Sequence, residues 1–234
     1  MLPVAILAGG LATRLRPITE TVPKSMVEVS GRPFISWQLE DLKSQGAEHV
    51  VLCIAHLGEL VRQYVGDGAR FGLKVEYSLD GKTLMGTGGA IRNALPLLGE
   101  AFFVFYGDSY LPIDFNEVER AYFASGKPAL MTVLENRDKW DRSNVLFEGG
   151  AIVEYNKRVP RAGMAHIDYG LSILRASVVS GFPAQGAFDL ADLYHQLSLS
   201  GKLAGHQVME RFYEIGSHAG LAQTSDFLST RIRT

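Results

Sequence analysis

Val4-Ala5-Ile6-Leu7-Ala8-Gly9-Gly10 is the stretch on which the fold turns. Apolar residues in succession, closed by a glycine pair, read as a short strand over Val4–Leu7 that is buried on both faces. Similar runs recur at 49–54, 101–106 and 129–134, and 73–77 reads as a further strand. Segments with helical spacing lie between them. Residues 33–45 set Phe34, Trp37, Leu39 and Leu42 near one face and meet Gly46 as a stop. Residues 58–65 and 87–97 also read as helical, the second ending near Pro96. Asp114 and Glu117 form a capping box for a helix over 115–124. This alternation argues for an α/β fold with a parallel sheet covered on both faces.

The pattern then changes. Val145-Leu146-Phe147 and Ile152-Val153-Glu154-Tyr155 flank Glu148-Gly149-Gly150, a hairpin signal. A strand over 169–174, a helix over 190–199 and a short strand over 212–215 follow. No linker, repeat or low-complexity segment interrupts the chain. The expectation is one domain over 1–234: a doubly wound, Rossmann-like mixed sheet whose β-rich second half is elaborated over the mouth of the sheet. Ligands of such sheets bind beyond the carboxyl ends of the strands. The loops after Leu7, Tyr106 and Glu214 are therefore expected to converge.

Composition narrows the class. The 234 residues suffice for a sizeable core. The formal net charge is -2, with no basic block, so no nucleic-acid partner is expected. The N-terminal apolar run is short, lacks a basic flank and runs into glycines, unlike a signal peptide. No stretch suits a bilayer, so a cytoplasmic protein without a membrane partner is expected. The sequence is compatible with a homo-oligomer. The single cysteine, Cys53, sits in Val50-Val51-Leu52-Cys53-Ile54 and reads as a small core residue.

The loop after the first strand reads Leu7-Ala8-Gly9-Gly10-Leu11-Ala12-Thr13-Arg14-Leu15-Arg16-Pro17. Paired glycines let the backbone approach a ligand, and exposed amides there attract phosphate. Thr13, Arg14 and Lys24 add donors. The common phosphate motifs fail: Gly81-Lys82-Thr83 ends like a P-loop, but Glu76 stands at the upstream glycine position. Gly86-Thr87-Gly88-Gly89 lacks a third glycine at the dinucleotide spacing, which disfavours a nicotinamide enzyme. Asp108, after Phe105-Tyr106-Gly107, reads either as a turn residue or as a carboxylate for a divalent ion at a strand's end.

The first loop, with Val22-Pro23-Lys24-Ser25-Met26-Val27, resembles the signature of the sugar-1-phosphate nucleotidylyltransferases, and later motifs follow in that family's order. Among its members, Thr87-Gly88-Gly89-Ala90 and Tyr106-Gly107-Asp108-Ser109-Tyr110 are most similar to heptose-1-phosphate guanylyltransferases. The resemblance implies transfer of a nucleotidyl group from a nucleoside triphosphate to a sugar 1-phosphate, with release of pyrophosphate. It implies magnesium as cofactor, held by Asp108 and Glu214, and Arg14, Lys24 and Asp108 as catalytic residues. Leu7, Ala8, Gly9, Gly10, Thr13, Arg14, Lys24, Met85, Gly86, Thr87 and Gly88 would bind the nucleotide. Asn144, Asn156, Lys157, Asp168 and Tyr169 would bind the sugar phosphate, Lys157 orienting its phosphate.

The departures from the family are specific. Ala12 replaces a glycine, Ser25 a proline, Glu214 an aspartate, Asn156 a glutamate and Asp168 an asparagine. The last two nearly exchange roles, since aspartate only accepts hydrogen bonds; they suggest a sugar presented differently, or a different sugar. GTP with a heptose or mannose-type 1-phosphate is the expected pair. A UTP- or CTP-dependent enzyme for another phosphate stays open, as does a weakly catalytic nucleotide-sugar binding or regulatory module. The chain stops soon after Glu214, so no appended acyltransferase or β-helix domain is expected.

Overall fold

The computed structural model describes residues 1–10, 13–80, 85–182 and 186–231; Ala12, Leu84 and the side chain of Thr13 lie outside the described residues. In chain order the first half gives β1 (Val4–Leu7), β2 (Glu28–Val29), β3 (Arg32–Pro33), α1 (Phe34–Ser44), β4 (His49–Ile54), α2 (Gly58–Val65), β5 (Lys74–Leu79), α3 (Gly86–Leu98), β6 (Ala101–Tyr106) and β7 (Ser109–Tyr110). The second half gives α4 (Phe115–Ser125), β8 (Ala129–Glu135), β9 (Val145–Glu148), β10 (Ala151–Tyr155), β11 (His166–Arg175), α5 (Ala176–Ser180), α6 (Leu190–Leu199), β12 (Leu203–Val208), β13 (Tyr213–Glu214) and α7 (His218–Arg231).

The protein has an α/β, Rossmann-like fold built on a mixed sheet, nine-stranded among the described residues. β5, β4, β1 and β6 are parallel neighbours, with Leu7 beside both Cys53 and Tyr106. This is the parallel sheet that the apolar runs predict, and it ends at β6. β11 enters antiparallel between β6 and β8, so the run over 129–135 is not the next parallel strand. β12 then pairs parallel with β8. The β9–β10 hairpin joins the sheet through Val145 and His166. Most of the β-rich second half thus continues the sheet. A separate ribbon, β7 paired with β13, stands beside the strand ends.

Alternation along the strands loads both faces. Val4 and Ile6 pack with Ile35, Leu39, Val61 and Phe115 from α1, α2 and α4. Ala5, Val104 and Leu174 pack on the other face with Ile91, Ala94, Leu193 and Leu197 from α3 and α6. A third cluster, with Leu15, Phe34, Trp37, Tyr110, Ile215 and Leu228, fastens α7 and the β7–β13 ribbon beside the cavity. Burial of such apolar surface stabilises the layers by roughly 25 cal/mol per Å2, and fixes where the strand ends lie. Asp114 caps α4 by accepting from the Asn116 N–H at 2.8 Å.

Candidate active site

The loops after β1 and β6 touch. The Gly107 N–H donates to the Leu7 carbonyl at 3.1 Å. A Cβ on Gly107 would stand 2.6 Å from that oxygen, so any side chain here would drive the loops apart. The third strand end joins through the Ile215 N–H, which donates to the Asp108 carbonyl at 2.9 Å. The predicted convergence is therefore built by backbone contacts.

These loops enclose a cavity of about 420 Å3. Leu7, Ala8, Gly9, Gly10, Arg14 and Lys24 line it together with Gly86, Thr87, Asp108 and Gly216. Cys53 is 2 % exposed and forms part of the floor, and burial pushes its thiol up to about 12. It is inert packing, as its apolar run predicts.

Charge concentrates at the rim. Lys24 Nζ donates to Asp108 Oδ2 at 2.6 Å. Glu214, opposite Ser109 in the ribbon, turns its carboxylate into its own loop: it accepts from the Gly216 N–H and, at 2.9 Å, from the Ser217 hydroxyl. The space beside Gly216 gathers the Glu214 carboxylate, Lys24 Nζ and an Arg14 guanidinium nitrogen, the last two 3.0 and 3.3 Å from where a Cβ would stand. A glycine is needed there because two cations and a carboxylate close over it.

A magnesium ion takes one or two carboxylates together with substrate phosphates and waters. Asp108 fits that role. Among the described residues no group of three or more metal-ligating side chains forms a cage. Glu214 stands next to Asp108, but its oxygens already serve its loop.

Of the residues expected to bind the base, Gly86 and Thr87 line the cavity, whereas Gly88 faces Phe188, whose ring fills the space a side chain would take. Met85 is half-buried beside the cavity and donates its N–H to Asp80 Oδ2 at 3.4 Å. Asp80, for which the sequence offers no base-specific pattern, lines the cavity. Its Oδ1 is buried and lacks a hydrogen-bond partner among the described residues. Burial raises its carboxyl above the usual range, against the Met85 N–H. The signal in the sequence was position alone: one acidic residue at the end of β5.

The residues expected on the sugar side divide. Asn144 Oδ1 accepts from the Asp168 N–H at 3.0 Å, and the Asn144 carbonyl accepts from the Asn156 N–H at 2.8 Å. Asn144 thereby ties β11 to the segment bearing Lys157. The Asn156 amide is used within its own turn, accepting from the Val159 N–H at 2.9 Å and donating to Glu154 at 3.3 Å. Tyr169 is 1 % exposed and packs edge-on against Phe212, on the sheet face opposite Asp168. Asp168 and Lys157 keep chemistry to offer. Desolvation pushes the Asp168 carboxyl up to about 6, against the Gly170 N–H and the charge of Lys157.

Residues 4–143 match the family model described as nucleotidyl transferase. The chain belongs to that family. It is 27% identical over 194 residues to the D-glycero-alpha-D-manno-heptose 1-phosphate guanylyltransferase of Campylobacter jejuni, covering 82% of this chain and 84% of that one. It is 29% identical over 215 residues to the UTP–glucose-1-phosphate uridylyltransferase of Synechocystis, covering 84% of this chain and 55% of that relative. The chain thus spans about half the length of the cyanobacterial protein. Among solved structures, HddC from Yersinia pseudotuberculosis complexed with GMP-PN superposes with a TM-score of 0.82 at 25% identity, over 97% of this chain and 100% of that one. No helix among the described residues is long and apolar enough to cross a membrane.

Proposed function

We propose that this member of the family is a sugar-1-phosphate nucleotidylyltransferase that uses magnesium, takes GTP and acts on a heptose or mannose-type 1-phosphate. The observation that carries the reaction class is the single cavity shared by the Gly9–Gly10 turn, Arg14, Lys24 and Asp108. Glycine amides and two cations suit a triphosphate, and the carboxylate at their edge suits its metal.

The reaction asks little covalent chemistry of the protein; positioning and charge stabilisation suffice. A sugar-phosphate oxygen attacks the α-phosphorus in line, a P–O bond forms, and the bond to the leaving pyrophosphate breaks. Arg14 and Lys24 offset charge on the α-phosphate and pyrophosphate. Lys157 orients the attacking phosphate, and Asp168 accepts from sugar hydroxyls. Asp108 would hold a magnesium ion, which would supply Lewis-acid stabilisation of the phosphate charge. Lys24 must then exchange Asp108 for phosphate oxygen, an exchange that keeps its charge paired throughout.

Asp80 supports guanine. A guanine edge offers the N1–H and the N2 amino group together, and a carboxylate takes both when its second oxygen gives up the long 3.4 Å contact with the Met85 N–H. Uracil offers one N–H. The guanylyl and uridylyl names among the relatives make the base a direct question for experiment. The test offers every nucleoside triphosphate with heptose, mannose and glucose 1-phosphates and compares kcat/KM. GTP with a manno-configured sugar should lead, and Asp80→Ala should erode the preference for GTP over UTP. A wild-type preference for a pyrimidine triphosphate would discard the guanine assignment.

A further inference from the structure

The base loop is held by a segment just over a hundred residues further along the chain. The Phe188 N–H donates to the Met85 carbonyl at 2.9 Å, and the Gly88 N–H donates back to the Phe188 carbonyl at 2.9 Å. The Thr87 hydroxyl donates to Asp189 Oδ1 at 2.8 Å and accepts from the Leu190 N–H at 2.9 Å. Phe188 itself is wedged between the Phe182 ring, at 5.0 Å, and the Arg92 guanidinium, at 4.5 Å. The Thr87 hydroxyl is thus occupied, although its residue lines the cavity. The first turn of α3 takes its acceptor from Phe188 rather than leaving its N–H groups for phosphate.

The same segment opens α6, whose later turns grip the other substrate's side. Asp192 holds Arg158, the neighbour of Lys157, through two bonds of 2.6 and 2.7 Å. His195 Nδ1 meets the Tyr155 carbonyl at 2.7 Å, and the Ser198 hydroxyl accepts from the Tyr155 N–H at 3.0 Å. One helix, Leu190–Leu199, therefore touches the base loop at its start and the lysine-bearing segment along its length. A helix is stiff over this span, so the two ends keep a fixed separation.

We infer that α6 is a strut that sets the distance between the base loop and Lys157, with Asp189 and Asp192 as its positioning residues. Neither Asp189 nor Asp192 is among the residues that line the cavity. Asp189 acts through Thr87 and Asp192 through Arg158. The inference rests on the proposed placement of the base against residues 85–88 and of the sugar phosphate against Lys157.

The test uses the full chain, steady-state kinetics in both substrates, and GTP binding by calorimetry with magnesium and no sugar. Asp189→Ala should raise the KM for GTP about tenfold, as expected when a bound group is misplaced without loss of a catalytic one. It should weaken GTP binding alike and leave the KM for the sugar phosphate unchanged. Asp189→Asn keeps the acceptor and the helix cap and should restore wild-type values. Asp192→Ala should raise the KM for the sugar phosphate instead. If Asp189→Ala fails to fold, Thr87→Val removes the same bond, and with it the acceptor of the Leu190 N–H, while the Asp189 cap on the Ala191 N–H stays, and it should reproduce the GTP effect. Unchanged KM values, or both rising together in every variant, would overturn the strut. If wild-type protein binds GTP but turns over no sugar phosphate, the proposed reaction fails, and the calorimetric comparison still decides the Asp189 end.

Discussion

Replacing Asp108 by asparagine separates the folding role of the rim from its chemical role. The backbone of Asp108 is fixed by the Ile215 N–H, which the substitution leaves alone. Its side chain holds Lys24 at 2.6 Å, but the carboxylate is 34% exposed, so solvent screens the pair. An ion pair so placed contributes at most about 1 kcal/mol, and its loss should lower the melting temperature by about 2–4 °C. Catalysis should fall far more. The proposed metal loses its main anionic ligand, and loss of one preorganised electrostatic group costs about 10²–10³ in kcat. Lys24 loses its ion-pair partner and keeps only the Glu214 carboxylate nearby, beside Arg14, so the cavity becomes more positive. Binding of the triphosphate should hold or tighten while turnover collapses. The assay is pyrophosphate release over a magnesium titration, with melting curves on the same preparations. Turnover within about twofold of wild type at saturating magnesium would refute the metal role. A melting temperature lower by well over about 4 °C would refute the statement that the carboxylate is dispensable for folding.

Arg14→Ala should depress turnover more than binding, costing roughly 2–4 kcal/mol in transition-state stabilisation, whereas Lys24→Ala should raise the KM for the triphosphate as well. Glu214→Gln should lower stability in the absence of metal by about 1–3 kcal/mol, because the loop loses a charged acceptor for Gly216 and Ser217; a melting curve in chelator that matches wild type would mean that Glu214 serves the metal alone. Asp168→Asn should change the pH profile of stability. The folded carboxyl titrates near 6 and the unfolded one near 3.8, so the folded state binds more protons between those values and stability falls as pH rises through that window. The penalty is absent below the unfolded pKa and complete above the folded one. Asparagine should therefore stabilise by on the order of 1–3 kcal/mol at neutral pH and by nothing near pH 3, as denaturant titrations at both pH values would show.

The parallel half of the fold was legible because burial on both faces leaves no ambiguity in the sequence. The runs 49–54, apolar from Val50 onward, and 101–106 form β4 and β6 with those bounds. Helix α2 is likewise placed at Gly58–Val65, and α6 at Leu190–Leu199. The elements that escaped notice depend on partners far away in sequence. β12, Leu203–Val208, carries Gly205 in its middle, and no side chain fits there because Phe147 and Ile152 occupy the space. β7 is two residues long and exists because β13 pairs with it. The antiparallel insertion of β11 could not be read from apolar runs, since a strand's burial does not record its direction.

The site shows the same division at the level of single groups. Residues whose backbone does the work, Gly9, Gly10 and Gly107, follow from strand, turn and register. Polar side chains were harder, because their availability depends on who else has claimed them. Asn156 and Thr87 have the right chemistry and the right neighbourhood, yet the Val159 N–H and Glu154 engage one, and Asp189 and the Leu190 N–H engage the other. Asp80 presents the reverse case, an acidic residue with no motif around it and an oxygen facing no partner among the described residues. A buried acceptor left unmatched costs about 1–3 kcal/mol, so its persistence at a ligand cavity points to a donor that arrives with the substrate. Hydrogen bonds already made are therefore as informative about function as residue type: they remove candidates that a motif would keep, and they single out a carboxylate that a motif would pass over.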